Sequence, residues 1–223
     1  MEGLLEMITT SGIAGYCIVG LAVVALGLII DRVKSLFFDL SIKTDEFIAQ
    51  VRSLLVSGQI EEAVTFSDAN RKAPVAHIVK AIVERADRDE ESIRKGMEIS
   101  FSEILPKVTQ RLGYLAMISN VVTLIGLLGT ITGLIMAFEA VANADPAKKG
   151  ELLASGISLA MNTTALGLTV AIPVMMIYSV LHAKQNKILN ECVEQSSKIM
   201  DLLSGRVYVE KHSTSHEENK KAA

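Results

Sequence analysis

Three stretches without a single Asp, Glu, Lys or Arg constrain this chain more than any other feature. They are Gly12–Ile30, Leu112–Phe138 and Leu152–Leu181, with 19, 27 and 30 residues. A helix of about 20 apolar residues crosses the hydrocarbon core of a bilayer. Each window therefore predicts a transmembrane helix, and the second and third are long enough to tilt or to extend beyond the hydrocarbon. A buried helix of a water-soluble core is rarely this long and charge-free. The first window lacks the basic leader of a signal peptide. Glu2 and Glu6 precede it, Arg32 and Lys34 follow it, and no small-x-small cleavage site is apparent. Of the 22 Lys and Arg residues, 13 lie in 31–111, 7 in 182–223, and 2 between the second and third windows. Positive charge is retained on the cytoplasmic side, so the N-terminus is expected outside and the C-terminus inside.

The sequence thus predicts an all-α polytopic membrane protein with three transmembrane helices, the second and third extending into a cytoplasmic helical region. The expected order is a short periplasmic N-terminus (1–11), a first transmembrane helix (12–30), a cytoplasmic helical loop (31–111), a second transmembrane helix (112–141), a periplasmic loop (142–151), a third transmembrane helix (152–181), a cytoplasmic C-terminal helix (182–205) and a disordered tail (206–223). In the cytoplasmic loop, Thr44 is a candidate N-cap for a helix with Phe47, Ile48, Val51, Leu54 and Leu55 on one face, and Gly58 its stop. A short helix follows to Asn70. Another starts near Pro74, with Ile78, Ala81, Ile82 and the stem of Arg85 on its apolar face. A fourth begins near Asp89, with Glu91 and Lys95 at ion-pair spacing. Pro106 should kink that helix without ending it, so that it runs on into the second window. Cys17 and Cys192 are expected on opposite sides and are not expected to pair. His212 and His216 lie in the polar tail with no third ligand, so no metal site is expected.

The second window does not read as a plain lipid-soluble helix. Ser119, Thr123, Gly126, Thr130, Gly133 and Ala137 fall on a stripe roughly 80° wide at about 100° per residue, with Gly129 beside them. Leu124, Leu128, Ile131 and Ile135 occupy the opposite face. In the third window Gly156, Ala160, Thr163, Thr164, Gly167 and Ala171 share one face, and Ser155, Ser158, Asn162 and Thr169 make a second, polar strip. Small residues let helix backbones approach, and hydroxyls bond across helices. Polar groups at membrane depth must also face protein or water, so the same residues can line a narrow pathway. No charged side chain lies inside any window, so an acid needed in ion conduction would come from another chain. The segment "GLLGTITG" lacks the lysine of a phosphate loop and follows no predicted strand, and no hydrolase, metalloprotease or kinase motif is present. The chain is therefore not expected to be an enzyme or to hold a cofactor. No basic, aromatic-interleaved patch suggests nucleic acid.

The motifs "GLLGTITGL" at 126–134 and "AMNTTALGLTVAIP" at 160–173 resemble the MotA/TolQ/ExbB proton channel family, in its three-helix ExbB/TolQ branch. Both occur in the expected helices and order, and the resemblance spans about residues 10–205. It implies a homopentamer in the bacterial inner membrane, surrounding a dimer of an ExbD/TolR-like single-span partner that supplies a membrane aspartate. It further implies a TonB/TolA-like energy transducer and conversion of proton-motive force into mechanical work at the envelope. In that scheme Thr130 and Thr164 line the inner pore face near the partner's acid, with Thr163, Thr123, Ser119 and Asn162 along the pathway. Gly126, Gly129, Gly133, Gly156, Ala160, Gly167, Ala171 and Pro173 form the packing and pore face.

Three positions depart from the family pattern. Thr123 stands where a proline is frequent, Leu159 where many members carry a glutamate, and Thr163 where alanine is frequent. Paired threonines at 163–164 resemble those of sodium-driven stators, so sodium is the alternative to the proton. A structural scaffold whose glycines only pack helices is a rival. A solute transporter is another, but the broken helices and internal repeats of that class are not seen.

Overall fold

A computed structural model describes residues 7–9, 11–40, 42–142 and 144–221, with the side chains of residues 39 and 206–221 excepted. Every regular element among the described residues is helical. The elements are α1 (Gly12–Lys34), a π-helical turn (Ser35–Asp39), α2 (Thr44–Val56), α3 (Ile60–Ala69), α4 (Pro74–Val83), α5 (Glu90–Thr109), α6 (Leu112–Ala142) and α7 (Lys149–Lys221). Three helices are long and apolar enough to cross a membrane, and they contain the three charge-free windows. The chain divides into two compact units, Met1–Val33 with Arg111–His182, and Lys34–Gln110 with Ala183–Ala223.

The second unit is a water-type helical bundle. On α4, Val75, Ala76, Ile78, Val79, Ile82 and Val83 are all buried, a wider apolar face than the sequence suggests. That helix packs against both α3 and α5, so two of its sides need cover. Phe47, Val51 and Leu55 turn inward from α2, and the Phe47 ring stacks on Phe66 at 5.4 Å. In α7 the buried positions Ile188, Cys192, Ser196, Ile199 and Leu203 recur at helical spacing. Local signals fix the ends. Gly58 takes a left-handed φ of 81°, its N–H donates to the Leu55 carbonyl, and the Gln59 N–H donates to that of Leu54. This double bond is a Schellman end, which glycine forms without a Cβ penalty. Asp89 caps α5 by accepting from the Ser92 N–H. Along α5, Arg94 and Glu98 form an ion pair at 3.3 Å.

Three local expectations need correction. Thr44 is the first residue of α2 and not its cap, because its hydroxyl donates to the Glu191 carboxylate at 3.2 Å. The helix after Asp89 tolerates Pro106 but stops at Thr109. Gln110 is extended in ψ and Arg111 adopts a left-handed φ of 63° before α6 begins at Leu112. The last bond of the helix is the Gln110 N–H to the Pro106 carbonyl at 2.8 Å, so the helix runs through the proline and ends one turn after it. Finally, the backbone of α7 is helical to Lys221, where no order was expected past Gly205. Extending an existing helix fixes one residue per hydrogen bond, whereas starting one fixes several, so a polar tail can follow a formed helix. His212 and His216 fall among the side chains outside the description.

The first unit holds α1, α6 and α7 up to His182. On α6, Leu124, Leu128, Ile131 and Ile135 are 50–61% exposed, while Leu112, Leu115 and Ile118 are buried. The exposed face suits lipid, and it bears out the apolar face read from the sequence.

Candidate functional site

The small-residue faces of α6 and α7 meet each other within one chain. They form an antiparallel seam with a fixed register. A Cβ placed on Gly133 would lie 3.1 Å from the Ala160 Cβ, and one on Gly156 would lie 3.0 Å from the Ala137 Cα. A Cβ on Gly129 would collide with the side chain of Thr163, and one on Gly167 would lie 3.1 Å from the Val122 carbonyl oxygen. Gly126 is slightly looser, with Thr164 Cα at 3.4 Å from its would-be Cβ. These glycines are therefore required by backbone approach, since any side chain would push the helices apart.

Two hydrogen bonds lock the register. The Ser119 hydroxyl donates to the Ala171 carbonyl at 2.8 Å, and the Thr164 hydroxyl donates to the Gly126 carbonyl at 2.8 Å. Thr163 is buried, packs on Gly129, and donates back to the Leu159 carbonyl at 3.0 Å. Thr163 and Thr164 thus diverge: one fills a groove and the other crosses the seam. Thr130 lies at the seam's edge, half-exposed, and donates to the Leu127 carbonyl. Thr123 is exposed and donates to the Ser119 carbonyl at 3.0 Å. Asn162 is half-exposed and stands off the seam. Pro173 is also off it, exposed, and α7 continues through it unbroken. Of the residues singled out from the sequence, the structure brings together Ser119, Gly126, Gly129, Gly133, Gly156, Ala160, Thr163, Thr164, Gly167 and Ala171. It leaves Thr123, Thr130, Asn162 and Pro173 outside the closest contact.

One chemical consequence follows from the partners. Ser119, Thr123, Thr130, Thr132, Thr163, Thr164 and Thr169 all give their hydroxyl proton to a main-chain carbonyl. What remains free is oxygen lone pairs, since a hydroxyl has one donor and two acceptor sites. Such a wall can accept a hydrogen bond from an incoming acid or water. Thr132 was not among the site residues read from the sequence. Its position two residues past the motif threonine, on the opposite side of the helix, gave no spacing signal.

Charge sits only at the ends of the windows. Asp31 accepts from Arg32 at 2.9 Å and from Arg111 at 3.2 Å, joining the end of α1 to the start of α6. Arg32 is 3% exposed, a level of burial an arginine tolerates when its charge is paired. Among the described residues, no group of three or more His, Cys, Asp or Glu side chains is placed to hold a metal ion.

The family model of the MotA/TolQ/ExbB proton channels matches residues 70–194, more than half of the chain. The chain belongs to the MotA/TolQ/ExbB proton channel family. It is 30% identical over 176 residues to a biopolymer transport protein ExbB homolog of Methanothermobacter thermautotrophicus, a match covering 78% of this chain and 61% of that protein. It is 35% identical over 102 residues to the Tol-Pal system protein TolQ of Haemophilus influenzae, covering 44% of each. With the biopolymer transport protein ExbB of Aquifex aeolicus it shares 33% over 85 residues, or 38% of this chain and 57% of that one. The chain thus spans about half of the length of these relatives. The matched residues 70–194 contain α6 and the α7 half of the seam, so this ExbB/TolQ-like membrane protein carries both seam motifs inside the family region.

Proposed function

We propose that this chain is the ring-forming subunit of an ion-driven motor in a bacterial inner membrane, with its N-terminus periplasmic and its C-terminus cytoplasmic. Copies assemble, as a pentamer, around a dimer of an ExbD/TolR-like single-span protein whose membrane aspartate carries the ion. Ion flow then works on a TonB/TolA-like transducer, for import, envelope maintenance or motility. The chain acts without a cofactor and is not an enzyme.

The observation that carries this reading is the state of the seam hydroxyls. They lie at membrane depth, all have spent their proton, and the windows contain no carboxylate to relay one. An acid on a neighbouring chain is the complementary group. It can donate to these oxygens when protonated and lose that bond when ionised, so its binding changes with its charge. The divergence of Thr163 and Thr164 favours the proton over sodium. A hard cation needs several oxygens converging on one point, and these two hydroxyls are committed to different carbonyls.

The test is ion flux into proteoliposomes. The chain alone should conduct no protons, the chain with its single-span partner should, and an aspartate-to-asparagine change in the partner should stop it. Proton flux through the chain alone would overturn the reading. Full flux in sodium-free medium is expected, whereas flux restored only by sodium would assign the other ion.

A further inference from the structure

One turn of α6 carries more hydrogen bonds than a helix needs. In an α-helix the carbonyls of residues 126–129 accept the N–H groups of residues 130–133. Each of these four carbonyls also takes a hydroxyl. Thr164 donates to Gly126 at 2.8 Å and Thr130 to Leu127, while Thr132 shares its proton between Leu128 at 3.0 Å and Gly129 at 3.1 Å. Elsewhere on α6 and α7, the hydroxyls of Thr123, Thr163, Thr169 and Ser119 fall on single, separated carbonyls. A hydroxyl that bonds back to the main chain competes with the N–H ladder, and such insertions destabilise and bend helices. Gly126, Gly129 and Gly133 bracket the same turn, and glycine is among the weakest helix formers. The two sides of the turn are also held unequally. Before it, Leu112, Leu115, Ile118, Ser119 and Val122 are buried, and both hydrogen bonds that lock the register lie at or before Gly126. After it, Gly133 and Ala137 are the buried positions of α6, and Ile131, Leu134, Ile135, Met136 and Phe138 are exposed.

We propose that Gly126–Gly133 is a hinge built into α6, at which the half running to Ala142 tilts against the half anchored by Ser119, and that Thr132 sets its looseness. Thr132 reaches two of the four doubly bonded carbonyls, and both lie on its own helix, so it neither locks the seam nor fills it. The contacts beyond the turn set a glycine against an alanine, Gly133 with Ala160 and Gly156 with Ala137. No interlocked large side chain resists a tilt there. The Gly126–Thr164 bond lies at the anchored edge of the turn, and Thr130 lies inside it. A bend therefore re-aims the Thr130 hydroxyl while Thr164 keeps its place. In the motor proposed above, this would change which oxygens the partner's acid meets. That use rests on the proposed function, whereas the hinge itself rests on the carbonyls of one turn.

The experiment reads the distance across the turn by pulsed electron spin resonance, on the full chain in nanodiscs. Spin labels are placed at Met117→Cys and Met136→Cys, both exposed, in a Cys17→Ser, Cys192→Ala background. Labelled chains are diluted with unlabelled ones, so that distances within one chain are read. A straight helix puts the two Cα atoms about 28 Å apart at 1.5 Å per residue. The expected result is a distribution about twice as wide as in Thr132→Val and weighted to shorter distances, with Thr132→Ser, which keeps the hydroxyl, as wide as the unsubstituted chain. Thr132→Ala carries the same expectation as Thr132→Val should the valine fail to fold. Hydrogen exchange gives a second reading with an unusual sign. Loss of the Thr132 hydroxyl should slow the amides of residues 130–133 about threefold, whereas loss of a stabilising bond would speed them. Equal widths with and without the hydroxyl, or faster exchange in Thr132→Val, would overturn the hinge. Proton flux through the chain alone would sink the proposed function and leave this distance result standing.

Discussion

Val79 and Ile82 fill the space around α4 in one unit, while Gly129 and Gly133 leave room for Thr163 and Ala160 in the other. Both arrangements bring helices together, but the forces differ. In the bundle, burial removes branched side chains from water at about 25 cal/mol per Å², so large residues stabilise. In the hairpin lipid is as apolar as leucine, so nothing is gained by burying bulk. Close backbone approach and hydrogen bonds must do the work, and small residues stabilise instead. The same chain therefore fills the contact with Val79 and Ile82 in one unit and clears it with Gly129 and Gly133 in the other.

The largest expected effect breaks the bundle. Ile78 is fully buried, and Ile78→Ala should cost about 2–5 kcal/mol through lost burial and a cavity. Hydrogen exchange should show faster amides in α2–α5 and unchanged amides in α6. Next is an inversion of the size rule. Gly129→Ala adds one methyl where Thr163 already stands, and should cost about 1–3 kcal/mol by overpacking. Gly27→Ala meets open space in α1 and should be neutral or slightly stabilising. Thermal unfolding in detergent compares the two, and equal effects would refute the seam. A smaller effect comes from Ser119→Ala, which removes one bond across the seam. About 0.6 kcal/mol is expected, as for other hydrogen bonds between membrane helices.

The smallest effect belongs to a half-buried pair in the bundle. Lys80 lies 2.6 Å from Asp68, and its hydrogen bond, with the attraction of its charge, holds the Asp68 carboxyl below the usual carboxylate range. The same bond raises the Lys80 ammonium above its ordinary value. A carboxyl with a lowered folded pKa stabilises above its unfolded pKa, near 4, and loses that contribution as pH falls through the folded value. The raised lysine contributes fully below its unfolded pKa, about 10.4, and loses this as pH rises through the folded one. Asp68→Asn should therefore flatten both edges of the stability–pH profile slightly, and salt should mask the change.

The sequence made some of this legible because period and charge are local. The three windows, the small-residue faces of α6 and α7, and the Gly58 stop follow from spacing along the chain. The join at Gln110–Arg111 did not follow, because a left-handed arginine is set by its surroundings, and Asp31, 80 residues away, holds its side chain. Nor did the choice between packing and pathway. A wheel places Thr163 and Thr164 on one face, but only coordinates show that one fills the Gly129 groove and the other crosses to the Gly126 carbonyl. Thr44 was misread for a similar reason, since its partner Glu191 is 147 residues distant.

The central claim is that hydroxyl oxygens at the seam serve an ion carried by another chain. It is tested most directly with Thr130→Val, which keeps the side chain's shape and removes a hydroxyl that makes no bond across the seam. Proton flux is measured in proteoliposomes containing the single-span partner, with native mass spectrometry of the same preparation. An intact assembly is expected, with flux reduced at least tenfold, equivalent to a barrier raised by about 1.4 kcal/mol. Unchanged flux through an intact assembly would contradict it and leave the seam a packing device alone.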